Sequence, residues 1–427
     1  MPVNCVLYKA GVDDIMSIVK DRSLAEAGRK KIAWVESYMP VLRNIGERFR
    51  RERPFEGKTI AMSIHLEAKT AYLALTLKAG GARVCATGCN PLSTQDDVAA
   101  GLESLGVEVF AIHGVNEEEY VAHLTETLRC TPDIIIDDGG DFVSILHESA
   151  PELAKNLLGG CEETTTGVAR LDARARAGKL NFPMFAVNNA KCKHLFDNRH
   201  GTGQSVWDAI MNTTNCFIAG KKVVVAGYGF CGRGVALRAK GLGANVIICE
   251  ADPFRALEAY AEGYSVMSMD EAAPIGDIFV TTTGCRDIIV RRHLEKMHDG
   301  VLLANAGHFD CEINKDDLMA ICESVEQRKP NIEGYKTRDG RILNLLGEGR
   351  LVNLAAGNGH PAEIMDLSFA VQALMMEHIA RLPEKLSPAL YEVPAEIDRL
   401  VASEKLRAEG IKIDELTKDQ EEYLKSW

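Results

Sequence analysis

The chain alternates twice between short apolar runs typical of strands and longer stretches with helical spacing. The first series runs from KTIAMSI through ARVCATG and VEVFAI to DIIIDDGGD, and the second from KKVVVAG through ANVIICE and DIFVTTTG to GVLLANAG. Repeated β-α-β units build parallel sheets with helices on both faces. Since 427 residues are too many for one hydrophobic core, we expect an α/β protein with two doubly wound parallel sheets and a short helical C-terminal tail.

A glycine-rich turn, AGYGFCGRG at residues 226–234, opens the second series. It follows a strand-like run and precedes a helical run, the context in which Gly227, Gly229 and Gly232 indicate a dinucleotide site. Glu250 ends the next strand, where a carboxylate accepts hydrogen bonds from the adenosine ribose and repels a 2′-phosphate. The sequence therefore predicts a Rossmann-like domain that prefers NAD to NADP. A turn that serves packing alone is the alternative.

Composition excludes several classes of partner. The formal net charge is −12, which argues against a nucleic-acid partner because such proteins present a basic face. No apolar run approaches the roughly twenty residues that a membrane span needs, and the first residues lack the pattern of a signal peptide. The 12 cysteines form no Cys-x-x-Cys pair, so we expect reduced thiols, no metal site and a cytoplasmic location.

Side chains capable of catalysis occur in loops beside the ends of both strand series. They are His65, Asn90, Asp137 and Asp138 in the first series, the EETTTGV segment, the KHLFDN segment with Lys193 and Asp197, His308 in NAGHFD and His360 in GNGHP. Each has a structural alternative. A threonine run caps helices, a lysine four residues before an aspartate is often a surface pair, and a histidine before proline is compatible with a simple turn.

Taken together and in order, these segments resemble the S-adenosylhomocysteine hydrolase family. The matching signatures are DDGGD (137–141), EETTTGV (162–168), FDN (196–198), AGYGFCGRG (226–234), TTTGC (281–285), GHFD (307–310) and EGRLVNL (348–354). The resemblance runs from about Pro54 to the tail. Glu67 and Lys69 in SIHLEAKTA resemble the archaeal and thermophilic subset of the family, which includes S-inosylhomocysteine hydrolases.

The resemblance implies reversible hydrolysis of the thioether of S-adenosyl-L-homocysteine to adenosine and L-homocysteine. One tightly bound NAD per subunit takes a hydride from ribose C3′, homocysteine leaves C5′ after loss of the C4′ proton, water adds, and the hydride returns without net redox. An S-inosyl-L-homocysteine hydrolase is the alternative, and an NAD-dependent oxidoreductase with net redox or an inactive nucleoside-binding relative is more distant. The resemblance also implies a homotetramer.

The resemblance further assigns roles to individual residues. The expected catalytic residues are His65, Asp138, Glu163, Lys193, Asp197 and His308. The expected cofactor contacts are Thr164, Thr165, Thr166, Asn198, Gly227, Gly229, Phe230, Cys231, Gly232, Glu250, Thr283, Asn305 and Asn353. The expected substrate contacts are Glu67, Lys69, Phe309, His360 and Met365. Lys193 is the expected base at the 3′-hydroxyl, which requires desolvation or a neighbouring cation to lower its pKa.

We expect residues 1–190 and 360–390 to form the substrate-binding domain, residues 191–359 the NAD-binding domain with hinge segments, and residues 391–427 an oligomerisation tail. Three departures from the family pattern are visible. Thr202 stands where many members have cysteine, and the LKSW end lacks the lysine and tyrosine that reach a neighbour's NAD. The third is Lys69, which can donate a hydrogen bond to O6 of hypoxanthine but cannot accept one from N6 of adenine, whereas Glu67 can accept it.

Overall fold

The computed structural model describes residues 17–427, so the predicted absence of a signal peptide concerns residues outside the described range. The described residues contain two eight-stranded sheets. The strands are β1 Ile18–Val19, β2 Thr59–Ser63, β3 Arg83–Thr87, β4 Glu108–Ala111, β5 Ile134–Asp137, β6 Gly159–Glu162, β7 Met184–Ala186, β8 Lys222–Ala226, β9 Asn245–Cys249, β10 Ser265–Val266, β11 Ile278–Thr281, β12 Leu302–Asn305, β13 Cys322–Lys329, β14 Ile332–Thr337, β15 Ile342–Leu346 and β16 Leu390–Glu392.

Helices of seven or more residues cover both sheets. They are α1 Ala25–Glu36, α2 Pro40–Glu52, α3 Ala68–Ala79, α4 Asp96–Ser104, α5 Glu117–Leu128, α6 Thr165–Arg176, α7 Thr202–Thr214, α8 Phe230–Gly241, α9 Pro253–Ala261, α10 Lys315–Ile321, α11 Ala362–Ala380, α12 Ala395–Ala408 and α13 Lys418–Lys425. Side chains set several of the starts. Glu67 caps α3, Asn116 and Glu119 form a capping box at α5, and Thr164 caps α6. None of the described helices is long and apolar enough to cross a membrane.

The first sheet is parallel throughout, in the order β1-β4-β3-β2-β5-β6-β7-β16. The four strands predicted in the first series are confirmed as β2 to β5. Strand order reverses between β2 and β5, and such switch points place ligands at the carboxyl ends of the strands. His65 follows β2 and Asp138 follows β5. The sheet therefore brings these two side chains to one crevice.

The second sheet has the order β10-β9-β8-β11-β12-β15-β14-β13. The four predicted strands are confirmed as β8, β9, β11 and β12, and the switch point lies between β8 and β11. The predicted doubly wound parallel sheet is confirmed, and at one edge β14 adds antiparallel pairs with both β13 and β15. The sequence CESVEQRK of β13 is largely exposed and lacks alternation of apolar residues, which explains why no strand was predicted there.

Helix α11 returns to the first sheet, as expected, and packs within its hydrophobic core. The segment PAEIMDLSFAVQALMMEHIARL by itself predicts a long amphipathic helix. That prediction is wrong, since 14 of the 19 residues of α11 are buried. Its polar residues are buried because each has a partner elsewhere. Asp366 accepts hydrogen bonds from the backbone N–H groups of Val41 and Leu42 at the start of α2. Ser368 and Gln372 contact the cluster of charged side chains described below.

The C-terminal segment extends the first sheet and then leaves it. Strand β16 pairs with β7 and spans the expected boundary at residue 390. Helix α12 packs on α11 and α2, and Asp398 accepts hydrogen bonds from the backbone of Lys191 and Cys192. Beyond α12, the apolar side chains of Leu416, Tyr423, Leu424 and Trp427 are exposed.

Candidate active site

A cavity of about 750 Å³ lies where the carboxyl ends of the two sheets face each other. All six expected catalytic residues line it. So do eleven of the thirteen expected cofactor residues and four of the five expected substrate residues. The exceptions are Gly232, Asn305 and Phe309. The structure thus brings together side chains that are up to about three hundred positions apart in the sequence, which short-range spacing alone does not predict.

The first group in the cavity is centred on Lys193, at the start of a wide, π-helical turn over His194–Gly201. The ammonium Nζ donates to Asn198 Oδ1 at 2.8 Å and lies 3.4 Å from Asp197 and 3.7 Å from Glu163. Irregular helical turns of this kind often occur at functional sites. The alternative of a surface Lys193–Asp197 pair is excluded, because both side chains are buried.

Three further side chains orient this Lys193 cluster. Ser368 donates to Asp197 Oδ2 at 2.8 Å, and His360 Nδ1 lies 2.5 Å from Asp197 Oδ1. Gln372 donates to Glu163 Oε2 at 2.5 Å. The other oxygen of Glu163, Oε1, is buried and has no hydrogen-bond partner within residues 17–427. A buried acceptor left free beside a cavity indicates a ligand group that donates to it.

Burial and neighbouring charges shift the pKa values of this cluster in different directions. Burial lowers the pKa of Lys193, but Asp197 and Glu163 outweigh burial and raise it above its ordinary value. Burial raises the pKa of Glu163 to about 8, reinforced by the charge of Asp197. The pKa of Asp197 falls because Lys193 and His360 outweigh its burial. Of the two conditions stated for a lowered pKa of Lys193, desolvation is outweighed by the neighbouring carboxylates, which leaves a cation supplied by a ligand.

The second group in the cavity consists of His65, Asp138 and His308. The Nε2 atom of His65 lies 3.9 Å from Asp138 Oδ2, and Nδ1 of His308 lies 3.8 Å from Asp138 Oδ1. The Nδ1 atom of His65 is 2.7 Å from Ser93 Oγ. Asp138 Oδ1 is buried and has no hydrogen-bond partner among the described residues. The group therefore surrounds a small space with one free acceptor and two imidazoles.

Burial shifts all three pKa values of the second group toward the neutral forms. It raises the pKa of Asp138 and lowers that of His308. It also lowers the pKa of His65 to about 3, with His360 contributing. Neutral imidazoles at pH 7 can accept or relay a proton. The absence of a metal site stays a prediction, since His65, Cys89 and Asp138 bring ligand-type atoms within 4.8 Å of one another.

The glycine turn has the geometry that the sequence predicted. Gly227 has a φ of +98°, a conformation that favours glycine. A Cβ at Gly232 would lie 2.0 Å from the carbonyl oxygen of Gly227, so Gly232 allows close packing instead of lining the cavity. Helix α8 begins at Phe230, and no side chain caps its first N–H groups. These groups and the helix dipole form a site for a phosphate group.

Further polar residues surround the turn. The carboxylate of Glu250 accepts hydrogen bonds from the backbone N–H groups of Tyr228 and Ala251, both at 2.7 Å. Arg255 lines the cavity next to Gly229. Asn353 donates to Ser205, while its buried Oδ1 has no partner among the described residues. The open glycine backbone and the free N-terminus of α8 fit the pyrophosphate of NAD. The carboxylate of Glu250 fits the adenosine ribose, and the unpaired amide oxygen of Asn353 fits the carboxamide. The residues present therefore fit this cofactor.

An ion pair occupies a third wall of the cavity. Lys69 Nζ lies 2.7 Å from Glu67 Oε2 and donates to the carbonyl oxygen of Asn358 at 3.1 Å. Both side chains are buried, and His360 and Met365 line the same cavity. The pair offers one negative and one positive group to a ligand.

Three expected contact residues have other positions. Asn305 is fully buried and donates to the carbonyl oxygens of Gly307, Phe309 and Gly349, so it braces the turn that carries His308. Its expected role as a cofactor contact stays a prediction. Gly232 packs against Gly227, and Phe309 is half exposed with its ring 4.7 Å from that of His308.

Sequence reasoning missed several residues of the site. Gln372 and Ser368 lie in a helix that was read as amphipathic, and their contacts are visible only in three dimensions. Glu312 is a buried carboxylate that accepts hydrogen bonds from Thr283 and Gly284, which positions the TTTG turn. Asn188 follows strand β7 and lines the cavity, and the rule of polar residues at strand ends would have identified it. Thr202 also lines the cavity, 3.3 Å from His360 Nε2.

Family models match most of the chain. The model described as S-adenosyl-L-homocysteine hydrolase matches residues 16–152, and that of the NAD binding domain of S-adenosyl-L-homocysteine hydrolase matches residues 198–359. The chain belongs to the S-adenosyl-L-homocysteine hydrolase family. The resemblance identified from the sequence, the NAD-binding fold and the hydrolase class are therefore confirmed.

Similar proteins within this hydrolase family carry two different names. The S-inosyl-L-homocysteine hydrolase of Methanocaldococcus jannaschii is 56% identical over 409 residues, covering 96% of this chain and 98% of that protein. The adenosylhomocysteinase of Pyrococcus abyssi is 56% identical over 409 residues, covering 96% and 97%. The adenosylhomocysteinase of Aquifex aeolicus is 53% identical over 410 residues, covering 96% and 98%. Overall sequence identity therefore does not show whether a member of this family acts on the adenosyl or the inosyl substrate.

Proposed function

We propose that the protein hydrolyses the thioether of an S-nucleosyl-L-homocysteine, reversibly and with NAD as a bound cofactor. The observation that carries this proposal is the shared cavity. It holds the Lys193 cluster, the Asp138 group and the glycine turn around one space. An oxidoreductase with net redox needs one acid or base beside its cofactor. The second buried group fits a reaction that also breaks a bond at C5′.

At the sugar, the Lys193 cluster binds and moves a proton. The free Oε1 of Glu163 accepts a hydrogen bond from a ribose hydroxyl, and Lys193 stands next to the 3′-oxygen. Asp197 and Asn198 hold the ammonium in place. Thr164–Thr166, Asn198, Asn353 and the turn around Gly227 would hold NAD. When bound, this cofactor would supply reversible hydride removal at C3′ and a positive charge that would lower the pKa of Lys193.

At C4′ and C5′, the Asp138 group handles the other protons. Asp138, with its free Oδ1 and its pKa raised by burial, is suited to take a proton and hold it. His65 and His308, both neutral and within 4 Å of Asp138, are placed to relay the proton that Asp138 has taken to the leaving sulfur and to orient the water that replaces it. The burial of these side chains excludes other water from the reactive sugar.

The purine is read by Glu67 and Lys69. Glu67 Oε1 accepts no hydrogen bond within residues 17–427. Two of the three N–H donors of Lys69 face Glu67 and the carbonyl oxygen of Asn358, which leaves one for a ligand. Adenine presents a donor at N6 and an acceptor at N1, whereas hypoxanthine presents an acceptor at O6 and a donor at N1. The Glu67–Lys69 pair can match the polar edge of either base. Which base binds better depends on whether the carboxylate or the ammonium faces the substituent at C6. We propose S-adenosyl-L-homocysteine as substrate, with S-inosyl-L-homocysteine the second candidate because of Lys69.

A paired assay tests this proposal. The protein loaded with NAD receives S-adenosyl-L-homocysteine or S-inosyl-L-homocysteine in separate reactions, and free thiol is followed over time. Preference for the adenosyl substrate means that Glu67 accepts from N6. Preference for the inosyl substrate means that Lys69 donates to O6. Thiol release from neither substrate contradicts the hydrolase function.

The organisation of the chain follows from the same proposal. We propose that residues 1–190 and 360–390 bind the nucleoside, that residues 191–359 bind NAD, and that residues 391–427 join subunits of a homotetramer. The exposed apolar side chains after α12 support the last role. The unpaired cysteines among the described residues support a reducing, cytoplasmic location.

A further inference from the structure

Arg170 is a charged side chain of the cavity that has no role in the reaction proposed above. It lies on α6 and lines the cavity. Its Nη1 donates to the carbonyl oxygen of Gly139 and to Asp141 Oδ1, the latter at 3.0 Å, and its Nη2 donates to Ser144 Oγ at 3.2 Å. Of the five N–H donors of arginine, the Nε–H and one on Nη2 have no partner within residues 17–427.

The position of Arg170 relates it to the C5′ end of the site. Gly139, which it contacts, directly follows Asp138, and His308 Nε2 lies 2.5 Å from where a Cβ of Gly139 would stand. The guanidinium carbon is 5.9 Å from the centre of the Phe309 ring. Arg170 therefore stands next to the group that handles the leaving sulfur.

The other cationic side chains that line the cavity in the described part of the chain have different tasks. Lys69 pairs with Glu67, and Lys193 lies between Asp197 and Glu163. Arg255 lies beside Gly229 at the cofactor turn. Arg170 is thus the cation available to a group attached to the sulfur.

Homocysteine extends from the sulfur by a three-carbon chain that ends in an α-carboxylate and an α-ammonium. A guanidinium with adjacent free donors recognises a carboxylate in bidentate fashion. Resting on the proposed function, we propose that Arg170 binds the α-carboxylate at the end of the homocysteine tail and thereby selects amino-acid thioethers over simple alkyl thioethers.

The test separates this role from a purely structural one, in which Arg170 only clamps the turn at Gly139–Asp141. The NAD-loaded wild type and Arg170→Gln are compared on the homocysteine thioether and on a 5′-(3-aminopropyl)thio nucleoside, which keeps the ammonium and lacks the carboxylate. We expect kcat/KM for the homocysteine thioether to fall about 10- to 100-fold, mainly through KM. The inhibition constant of the aminopropyl analogue should stay within about twofold.

Equal losses for both compounds would overturn the proposal in favour of a structural clamp, and no loss for either would show that Arg170 does not touch the tail. The matched control is Arg174→Gln, one turn further along α6, where Arg174 pairs with Glu148 and does not line the cavity. It should leave both constants unchanged. Absence of thiol release by the wild type would instead contradict the proposed function itself.

Discussion

The two sheets share one architecture but present different chemistry at their carboxyl ends. The first sheet ends in buried carboxylates, Asp137, Asp138, Glu162 and Glu163, whose pKa values burial raises, to about 7 for Asp137 and about 8 for Glu163. The second ends mainly in glycines, threonine hydroxyls and backbone N–H groups around Gly227 and Thr283. Burying the carboxylates at the ends of the first sheet costs free energy, whereas the uncharged donors at the ends of the second sheet cost little to bury.

The difference matches two tasks. Backbone and hydroxyl groups hold an anionic cofactor without changing their own charge. Buried acids and bases move protons, and proteins keep such groups buried mainly where function requires them. Under the proposed function the second sheet mainly holds the cofactor and the first mainly supplies the groups that move protons, although His308 follows β12 of the second sheet and Thr164–Thr166 follow β6 of the first. Substitutions should therefore have different signatures on the two sides.

The largest expected effect is on the reacting side. Lys193→Gln should lower the rate of thiol release by about a hundredfold to ten-thousandfold, since it removes the group that moves the 3′-proton. Because the change also leaves Asp197 and Glu163 without their cation, thermal unfolding is measured in parallel. The control is Lys191→Gln, an exposed side chain two residues away, which should leave the rate unchanged. A rate within tenfold of wild type would show that Lys193 does not carry the proton.

On the binding side, Gly232→Ala should act through packing. Its Cβ would lie 2.0 Å from the carbonyl oxygen of Gly227, so the turn must shift, at a cost of about 1–3 kcal/mol in the free energy of unfolding. NAD retention after gel filtration should fall with it. Gly241→Ala, in the same helix with nothing within 4 Å of its Cβ, should be neutral or slightly stabilising. Similar behaviour of the two variants would refute the close approach.

Substitution of Lys69 tests how the purine is read. Lys69→Met should change the preference between the adenosyl and inosyl substrates by about tenfold, because an unpaired buried polar edge costs about 1–3 kcal/mol. The ratio of kcat/KM values for the two substrates measures it. A large loss of rate with an unchanged ratio would mean that Lys69 holds Asn358 and Glu67 without touching the base.

A final test concerns the pH dependence of stability. The pKa of Glu163 is raised to about 8 by burial, so between about pH 5 and pH 8 the folded protein keeps a proton that the unfolded chain releases. This term lowers stability as pH rises. Glu163→Gln removes it, so the free energy of unfolding of wild type minus that of the variant should decrease over this range. A constant difference would show that the pKa of Glu163 is not raised.

Backbone geometry was easier to predict from the sequence than the partners of buried side chains. The glycine turn and strands β8, β9, β11 and β12 were recognised because backbone geometry leaves a local signal in residue type and order. The partners of the reacting groups leave no such signal. Gln372 and Ser368 resemble an exposed polar face until α11 is seen to pass through the core. The hydrogen bonds by which Asn305 braces the turn at Gly307 are likewise visible only in three dimensions.

The central claim is that one cavity uses bound NAD to break a thioether without net redox. The most direct measurement mixes the NAD-loaded protein with a large excess of substrate and records free thiol and the absorbance of NADH together. The account predicts many equivalents of thiol per subunit, while NADH stays below one equivalent. Accumulation of NADH in step with substrate consumption, or no thiol from either nucleosyl-homocysteine, would contradict it.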